Sequence, residues 1–266
     1  MDLGEDERRG IASRYRISRY ASAMHCLALD RLSPTQRPEG ANSGTQNWRE
    51  LLFVHWTMPP EALRKLIPAA VELDLWEGDA YVGLVPFRME KIRPSWLPSA
   101  FAMDFLELNL RTYVHYKGRP GVWFFSLEAS SWLAVQAART GWSLPYHHAT
   151  METSREGERI RYASSRKSGV AAFDCAYGVG EELGASVPGT REHFLLERYL
   201  LLSERRGAIL EGQVHHTPYV AHRVNVSTLS QSMIEAAGMP RVTNAPVCVH
   251  FSPGVDVEVF GPYPVG

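Results

Sequence analysis

The chain has 266 residues, 45% of them hydrophobic, and a formal net charge of −1. That length and apolar content suffice for a sizeable core in one large domain or two small ones. Basic and acidic residues are spread along the chain, so no electrostatic footprint for nucleic acid or an anionic membrane is visible and neither is expected as a partner.

Residues 1–45 read differently from the rest. Arg8, Arg9, Arg14, Arg16 and Arg19 stand among serines, and a turn-rich stretch runs from Ser33 to Gly44. Asp2, Glu5, Asp6 and Glu7 spoil a targeting-peptide reading, which leaves a disordered or loosely ordered extension. Residues 46–266 then read as one domain, dense in hairpin signals. A helix is expected over Pro60 to Ile67, opening on proline in its first turn. Strands Val71 to Trp76 and Tyr81 to Met89 are joined through Glu77-Gly78-Asp79.

Between Leu106 and Tyr116 the chain alternates without a break. Glu107, Asn109, Arg111, Tyr113 and His115 fall on one side, with Leu106, Leu108, Leu110, Thr112, Val114 and Tyr116 on the other, as in a β-strand. A five-residue turn, Lys117-Gly118-Arg119-Pro120-Gly121, leads to the apolar run Val122 to Leu127. If Tyr116 pairs with Val122, the polar row lies beside Trp123, Phe125 and Leu127 and forms the wall of an enclosed, part-apolar pocket. A one-residue slip in register would return an ordinary solvated face.

Downstream come a short helix over Ser131 to Thr140 and a hairpin of His147 to Ser154 with Arg159 to Ser165. A second hairpin joins Tyr199 to Glu204 with Ala208 to Val214, a helix over Ser230 to Ala237 ends at Gly238, and a last hairpin joins Val247 to Phe251 with Val255 to Phe260 across Ser252-Pro253-Gly254. With no βαβ alternation and no repeat, the expected class is mainly antiparallel α+β: a closed or near-closed barrel or cone with a few short helices outside. Glu197 and Arg198, inside the apolar stretch Phe194 to Tyr199, must be paired if buried.

Common chemical signatures are missing: no glycine-rich phosphate loop, no HExxH and no GxSxG. The cysteines Cys26, Cys175 and Cys248 are far apart, without a CxxC pair, so neither a disulfide framework nor a zinc site is expected, and a reducing cytoplasm fits. The pairs His147-His148 and His215-His216 each offer at most one ligand to a common site, because strand neighbours point to opposite faces. No metal and no cofactor are expected. Cys175, between Phe173 and Tyr177, reads as a buried inert thiol. No apolar run reaches the ~18 to 20 residues of a membrane helix, and Met1 to Asp30 has no continuous apolar core for a secretory signal.

Several segments resemble the uncharacterised bacterial YqjF-like family, the domain of unknown function 2071. They are Trp48 to Trp56, Pro59 to Leu63, Val85 to Met89, Glu107 to Val114, Gly121 to Leu127, Leu144 to Ala149 and Ser252 to Val257. That family is placed in the acetoacetate decarboxylase-like superfamily, and the resemblance implies an antiparallel barrel or cone around a ligand cavity. The superfamily's namesake forms an imine through an activated lysine, from a lysine pair that follows a proline after a helix. Here Pro145 matches the proline, and Tyr146 and His147 stand where the lysines should be. Arg49 resembles the decarboxylase's arginine and Glu107 its active-site glutamate.

The leading expectation is therefore a binder of a small organic acid or oxygenated metabolite, without Schiff-base decarboxylase activity. Arg49, Glu107, Asn109, Arg111, Tyr113, Trp123, Phe125, Tyr146 and His147 would line its site. One alternative is an enzyme of altered chemistry, a lyase, isomerase or hydrolase, with Glu107 or His147 as base and Tyr146 as acid or oxyanion donor. Another is a non-catalytic structural or interaction protein. Homo-oligomerisation stays open.

Overall fold

The computed structural model describes residues 29–265. Among these, twelve strands form one sheet: β1 (Gly44–Met58), β2 (Glu72–Leu73), β3 (Ala80–Pro94), β4 (Met103–Tyr116), β5 (Arg119–Ala129), β6 (Tyr146–Glu156), β7 (Arg159–Arg166), β8 (Ala172–Ala185), β9 (Leu200–Arg205), β10 (Ala208–His215), β11 (Val220–Gln231) and β12 (Cys248–Pro264). Four short helices interrupt it: α1 (Pro60–Arg64), α2 (Trp132–Trp142), α3 (Arg191–Leu196) and α4 (Met233–Ala236).

The turn after β4 is shorter than its composition suggests. Lys117 and Gly118 both take the left-handed backbone, φ 50° and 79°, and such a two-residue turn matches the natural twist of a strand pair. It sets Tyr113 opposite Val122 and Thr112 opposite Trp123, and a slip between Leu110 and Arg111 then sets Asn109 opposite Leu127 and Glu107 opposite Ala129. The expected Tyr116–Val122 register is thus wrong by three residues at this end. Trp123 lies on the Thr112 face, and it and Phe125 pack on the cluster of Ile67, Val71, Val114, Leu202 and Ile209. Val122, Phe124, Leu127 and Ala129 accompany the polar row in their place.

The expected hairpin across Ser252-Pro253-Gly254 is also a single strand, β12. A Cβ on Gly254, at φ 133°, would lie 2.1 Å from the Trp48 carbonyl oxygen, so only glycine lets β12 pass β1 here. Either side of this irregularity β12 changes its outer neighbour. Its first half pairs with β11 at His250 and Phe251, and its second half pairs with β10 from Glu258 to Pro264.

β5 does the converse, pairing in parallel with β9 at Val122 and Trp123 and with β6 from Leu127 to Ala129. The sheet β12-β1-β3-β4-β5 is therefore closed twice, through β9-β10 at one end and through β6-β7-β8-β11 at the other. The result is ring-like and strand-dominated without being a clean barrel. Apart from the two short parallel contacts of β5, every pairing is antiparallel.

The helices are held by specific caps. α1 stops at Arg64 rather than Ile67, and the Arg64 guanidinium donates to the carbonyls of Ile67, Pro68 and Val71. Ser131 caps α2 by accepting from the Ala134 N–H at 3.3 Å. Ser230 and Gln231 remain in β11, so the last helix starts only at Met233. Cys175, on β8 between Phe173 and Tyr177, is fully buried, and burial pushes its thiol up to about 12, in keeping with an inert core thiol.

Residues 1–28 of the expected loose extension lie outside the described residues. The rest of it touches the body at several points. Arg31 pairs with the buried Asp74, Gln213 donates to the carbonyls of Pro34 and Gln36, and Arg37 makes a two-point bond to Glu258 at 2.7 and 2.8 Å.

Candidate functional site

Strand alternation puts Glu107, Asn109, Arg111 and Tyr113 on one face of β4, and all four are buried. Around them stand Leu51, Phe53, Val85, Phe87, Leu127, Ala129, Tyr146, Leu196, Tyr199 and Tyr219, all of them buried. A carboxyl and a guanidinium inside an apolar surround must find hydrogen bonds or lose charge.

Glu107 does both. Its carboxylate accepts from the Tyr146 hydroxyl at 2.7 Å, and Tyr162 donates to its backbone carbonyl at 2.8 Å. Burial pushes the Glu107 carboxyl up to about 8; the Tyr146 bond opposes that shift, and the charge of Glu128 adds to it. Tyr146 is itself held well above the usual phenol range, first by burial and then by Glu107. At neutral pH this pair is mostly uncharged.

Arg111 has no such relief. One Nη donates to the Leu195 carbonyl at 3.1 Å, and the guanidinium lies 5.6 Å from the Phe53 ring centroid and 5.7 Å from that of Tyr113. Its Nε is buried with no hydrogen-bond partner, as is Oδ1 of Asn109 two residues earlier. Among the described residues no carboxylate forms an ion pair with it.

Tyr113 fixes a tautomer. Its hydroxyl gives its one proton to the Leu195 carbonyl at 2.8 Å and lies 2.6 Å from His55 Nε2. His55 Nε2 must therefore carry a hydrogen, which leaves a lone pair on its unpartnered Nδ1. Burial, with Arg111, His250 and Arg191 behind it, holds His55 well below the usual imidazole range. Gly83 makes room for this ring, since a Cβ there would meet it at 2.8 Å.

The far wall comes from the segment after α3. Glu197 accepts from the Tyr199 hydroxyl at 2.6 Å and from the Tyr219 N–H at 3.0 Å, and burial raises its carboxyl. Arg198 turns the other way, to Asp74 at 2.8 Å, so Arg198 has the ion pair expected of it, whereas Glu197 is held by hydrogen bonds from neutral donors and not by a cation. His216 stacks on Tyr199 with centroids 4.5 Å apart. Burial brings it down to about 4, and its Nε2 is unpartnered. His55, Tyr199, His216 and Tyr219 are absent from the residues expected on sequence grounds: they sit on separate strands and loops, and only the folded sheet gathers them.

Four expected residues lie elsewhere. Trp123 and Phe125 occupy the opposite face of β5. Arg49 pairs with Asp256 and donates to the Val255 carbonyl at 2.8 Å, because Glu50, at φ 53°, kinks β1 and interrupts its alternation. It lines a surface pocket of about 420 Å³ with Thr217, Pro253, Gly254, Val255 and Asp256. His147 follows Tyr146 on β6 and so faces away from it, opposite Glu128 in register. Glu128 is held by Arg166 and by Ser126, and His147 is brought down to about 4 by partial burial and by Arg166 and Arg139. Glu107, Asn109, Arg111, Tyr113 and Tyr146 remain together. No lysine joins them: Lys65, Lys91, Lys117 and Lys167, the only four in the chain, are all exposed.

Comparison with known proteins agrees with this frame. The chain is similar to the uncharacterized protein YqjF of Bacillus subtilis (strain 168), 36% identical over 222 residues that cover 83% of this chain and 91% of the other. In structure it is similar to the acetoacetate decarboxylase of Legionella pneumophila subsp. pneumophila str. Philadelphia 1, with TM-score 0.60 and 15% identity over 86% of this chain and 92% of that one. It is also similar to the enduracididine biosynthesis enzyme MppR complexed with pyruvate, with TM-score 0.58 and 12% identity over 87% and 93%. At these identities the two structures speak for the fold alone. The DUF2071 family, described as an uncharacterized conserved protein, matches residues 45–256, and the chain belongs to that family, with an acetoacetate decarboxylase-like fold.

Proposed function

We propose that the protein binds a small organic acid on the buried row of β4, with the acid's carboxylate at Arg111, and does so without forming an imine. The observation that carries this reading is the unbalanced charge. Arg111 is buried, its Nε has no partner, and the carboxyl on its own row, Glu107, is kept mostly neutral by burial. A buried cation without a counter-ion is costly, and a carboxylate ligand would supply one through a two-point bond. Asn109 and the Tyr146–Glu107 pair lie farther along the same row, where they would meet a carbonyl or hydroxyl oxygen of the ligand. The complex of MppR with pyruvate supports an oxo acid as the ligand class. A cytoplasmic setting, where such metabolites are plentiful, goes with this reading.

A second reading has one observation of its own. A carboxyl at about 8 bonded to a phenol is poised for proton transfer near neutral pH, so Glu107 would act as the acid or base of a lyase, isomerase or hydrolase. Saturable turnover of an oxo acid, lost in Glu107→Gln, is the result that would favour catalysis over binding.

The binding reading is tested by thermal melts with a panel of small mono- and dicarboxylic oxo acids. A ligand at a hundred times its Kd should raise Tm by roughly 5–10 °C, and Arg111→Met should abolish the shift while remaining folded. A flat panel for the parent protein, or an equal shift in Arg111→Met, would overturn it.

A further inference from the structure

One cluster of ligating side chains lies apart from the Glu107 row. Cys248 and His250 are two residues apart on β12, so their side chains leave the same face, and Cys248 Sγ lies 3.3 Å from His250 Nδ1. The first turn of α3 brings Glu192 to them: one donor atom from each of the three lies within 4.8 Å of the others. Cys248 and His250 are buried, while the Glu192 side chain is 40% exposed and opens the cluster to solvent.

We infer that Cys248, His250 and Glu192 form a zinc-binding site with a fourth position left open. Thiolate, imidazole and carboxylate together are a zinc donor set, and three protein ligands with a vacant position are the open kind of zinc site. Zn–S of about 2.3 Å and Zn–N of about 2.0–2.1 Å, at a tetrahedral angle, put sulfur and nitrogen roughly 3.5 Å apart. The pair on β12 is already near that spacing.

Two guanidiniums stand near the site and oppose a cation there, so the case for the metal rests on the donor geometry. Arg191 lies 3.7 Å from Glu192 and acts on both Cys248 and His250, and Arg223 also faces His250. One thiolate and one carboxylate neutralise Zn²⁺; burial holds the Cys248 thiol up at about 11, with Arg191 opposing that shift, so the metal itself has to displace the thiol proton. On binding, the Cys248 S–H bond breaks, its proton leaves to solvent and the Zn–S bond forms, with no change of oxidation state. A second buried group stands beside the cluster. His55 pairs with Cys248 across β1 and β12, is fully buried, and keeps its Nδ1 lone pair unpartnered.

The consequence is mechanical as well as chemical. α3 carries Leu195, whose carbonyl accepts from both Arg111 and Tyr113. A metal bridging Glu192 to β12 would fix that helix against the sheet and so steady one wall of the Glu107 row. Cys248, His250 and Glu192 are all distinct from the residues that would hold the acid ligand.

The test uses the full chain, stripped with a chelator and titrated with Zn²⁺ against a chromophoric competitor, then with Co²⁺ for its spectrum. Expected are one zinc per chain at micromolar metal or below, a rise in Tm on binding, and a near-ultraviolet thiolate-to-cobalt band. Cys248→Ser and His250→Gln should each weaken binding by more than about a hundredfold and Cys248→Ser should remove the band. Glu192→Gln, at a half-exposed position, should fold like the parent and bind zinc about tenfold more weakly. The inference is overturned if the folded parent takes up no stoichiometric zinc, if the cobalt band survives Cys248→Ser, or if Glu192→Gln binds zinc as tightly as the parent.

Discussion

Glu107 and Arg111 are four residues apart on one strand and meet the same apolar surround, yet burial acts on them in opposite ways. A carboxyl can shed its charge by taking a proton; a guanidinium cannot. Glu107 therefore contributes a stability that depends on pH. Its folded-state value of about 8 lies above its ordinary 4.5, so between those values the folded protein holds a proton that the unfolded chain has lost. Stability from this group is fully present below pH 4.5, declines as pH rises towards 8, and is level above that. Glu107→Gln, which mimics the neutral acid and can still accept from Tyr146, should match the parent near pH 4.5. It should then gain on the parent by up to about 1.4 kcal/mol per pH unit, as read from urea melts at a series of pH values. A constant gap between the two across that range would mean that Glu107 is ionised throughout.

His55 provides a steric counterpart. Its ring sits where a Cβ on Gly83 would be, at 2.8 and 2.9 Å from two ring atoms, in a core without slack. Gly83→Ala should cost about 1–3 kcal/mol and should weaken the His55–Tyr113 bond. Thermal melts give the first effect, and the imidazole nitrogen shifts in an NMR spectrum give the second.

At the scale of elements, the segment before β1 and the buried Asp74 are tied together. Asp74 accepts from Arg31 and from Arg198, and Arg198 is itself buried against Phe194 with the guanidinium 4.3 Å from the ring centroid. A chain starting at Gly44 lacks Arg31, a partner of the buried Asp74, and should be less stable by about 1–3 kcal/mol on that account, while the exposed Arg37–Glu258 pair is screened by solvent. Asp74→Ala, which leaves Arg198 buried beside an apolar side chain, should cost about 3–5 kcal/mol. Urea melts of both variants beside the parent decide it: a truncated chain as stable as the full one would show that these contacts add nothing.

For the whole molecule, the distribution of lysines sets a limit on chemistry. All four are exposed, whereas an imine-forming lysine is one desolvated in an apolar pocket or set beside another cation. Incubation with acetoacetate or pyruvate and borohydride should leave the intact mass unchanged, with no stoichiometric lysine adduct. An adduct on one lysine would place an imine-forming site at the surface, away from Glu107. The double closure of the sheet matters here too, because β12 and β5 each serve two partners and so bring the segment after α3 over the face of β4.

The sequence by itself determined which residues of β4 share a face, because a strand's period of two is local and needs no partner. The same locality made the β4–β5, β6–β7 and β9–β10 hairpins legible, whereas the strand expected over Val71 to Trp76 shortens to β2 and pairs with β4 instead of β3. Register was decided only in three dimensions. A two-residue turn in place of a five-residue one, and a slip at Leu110, moved Trp123 and Phe125 off the face that Phe124 and Leu127 now occupy. Arg49 left the interior because Glu50 took a left-handed backbone, a conformation that residue type does not announce. β12 read as a hairpin because Pro-Gly is ordinarily a turn, whereas here Gly254 lets two strands pass closely. Convergence of His55, Tyr199, His216 and Tyr219, and of Glu192 with Cys248 and His250, depends on loops closing over long separations in the chain. No local pattern encodes such closure; only burial of the common apolar core enforces it.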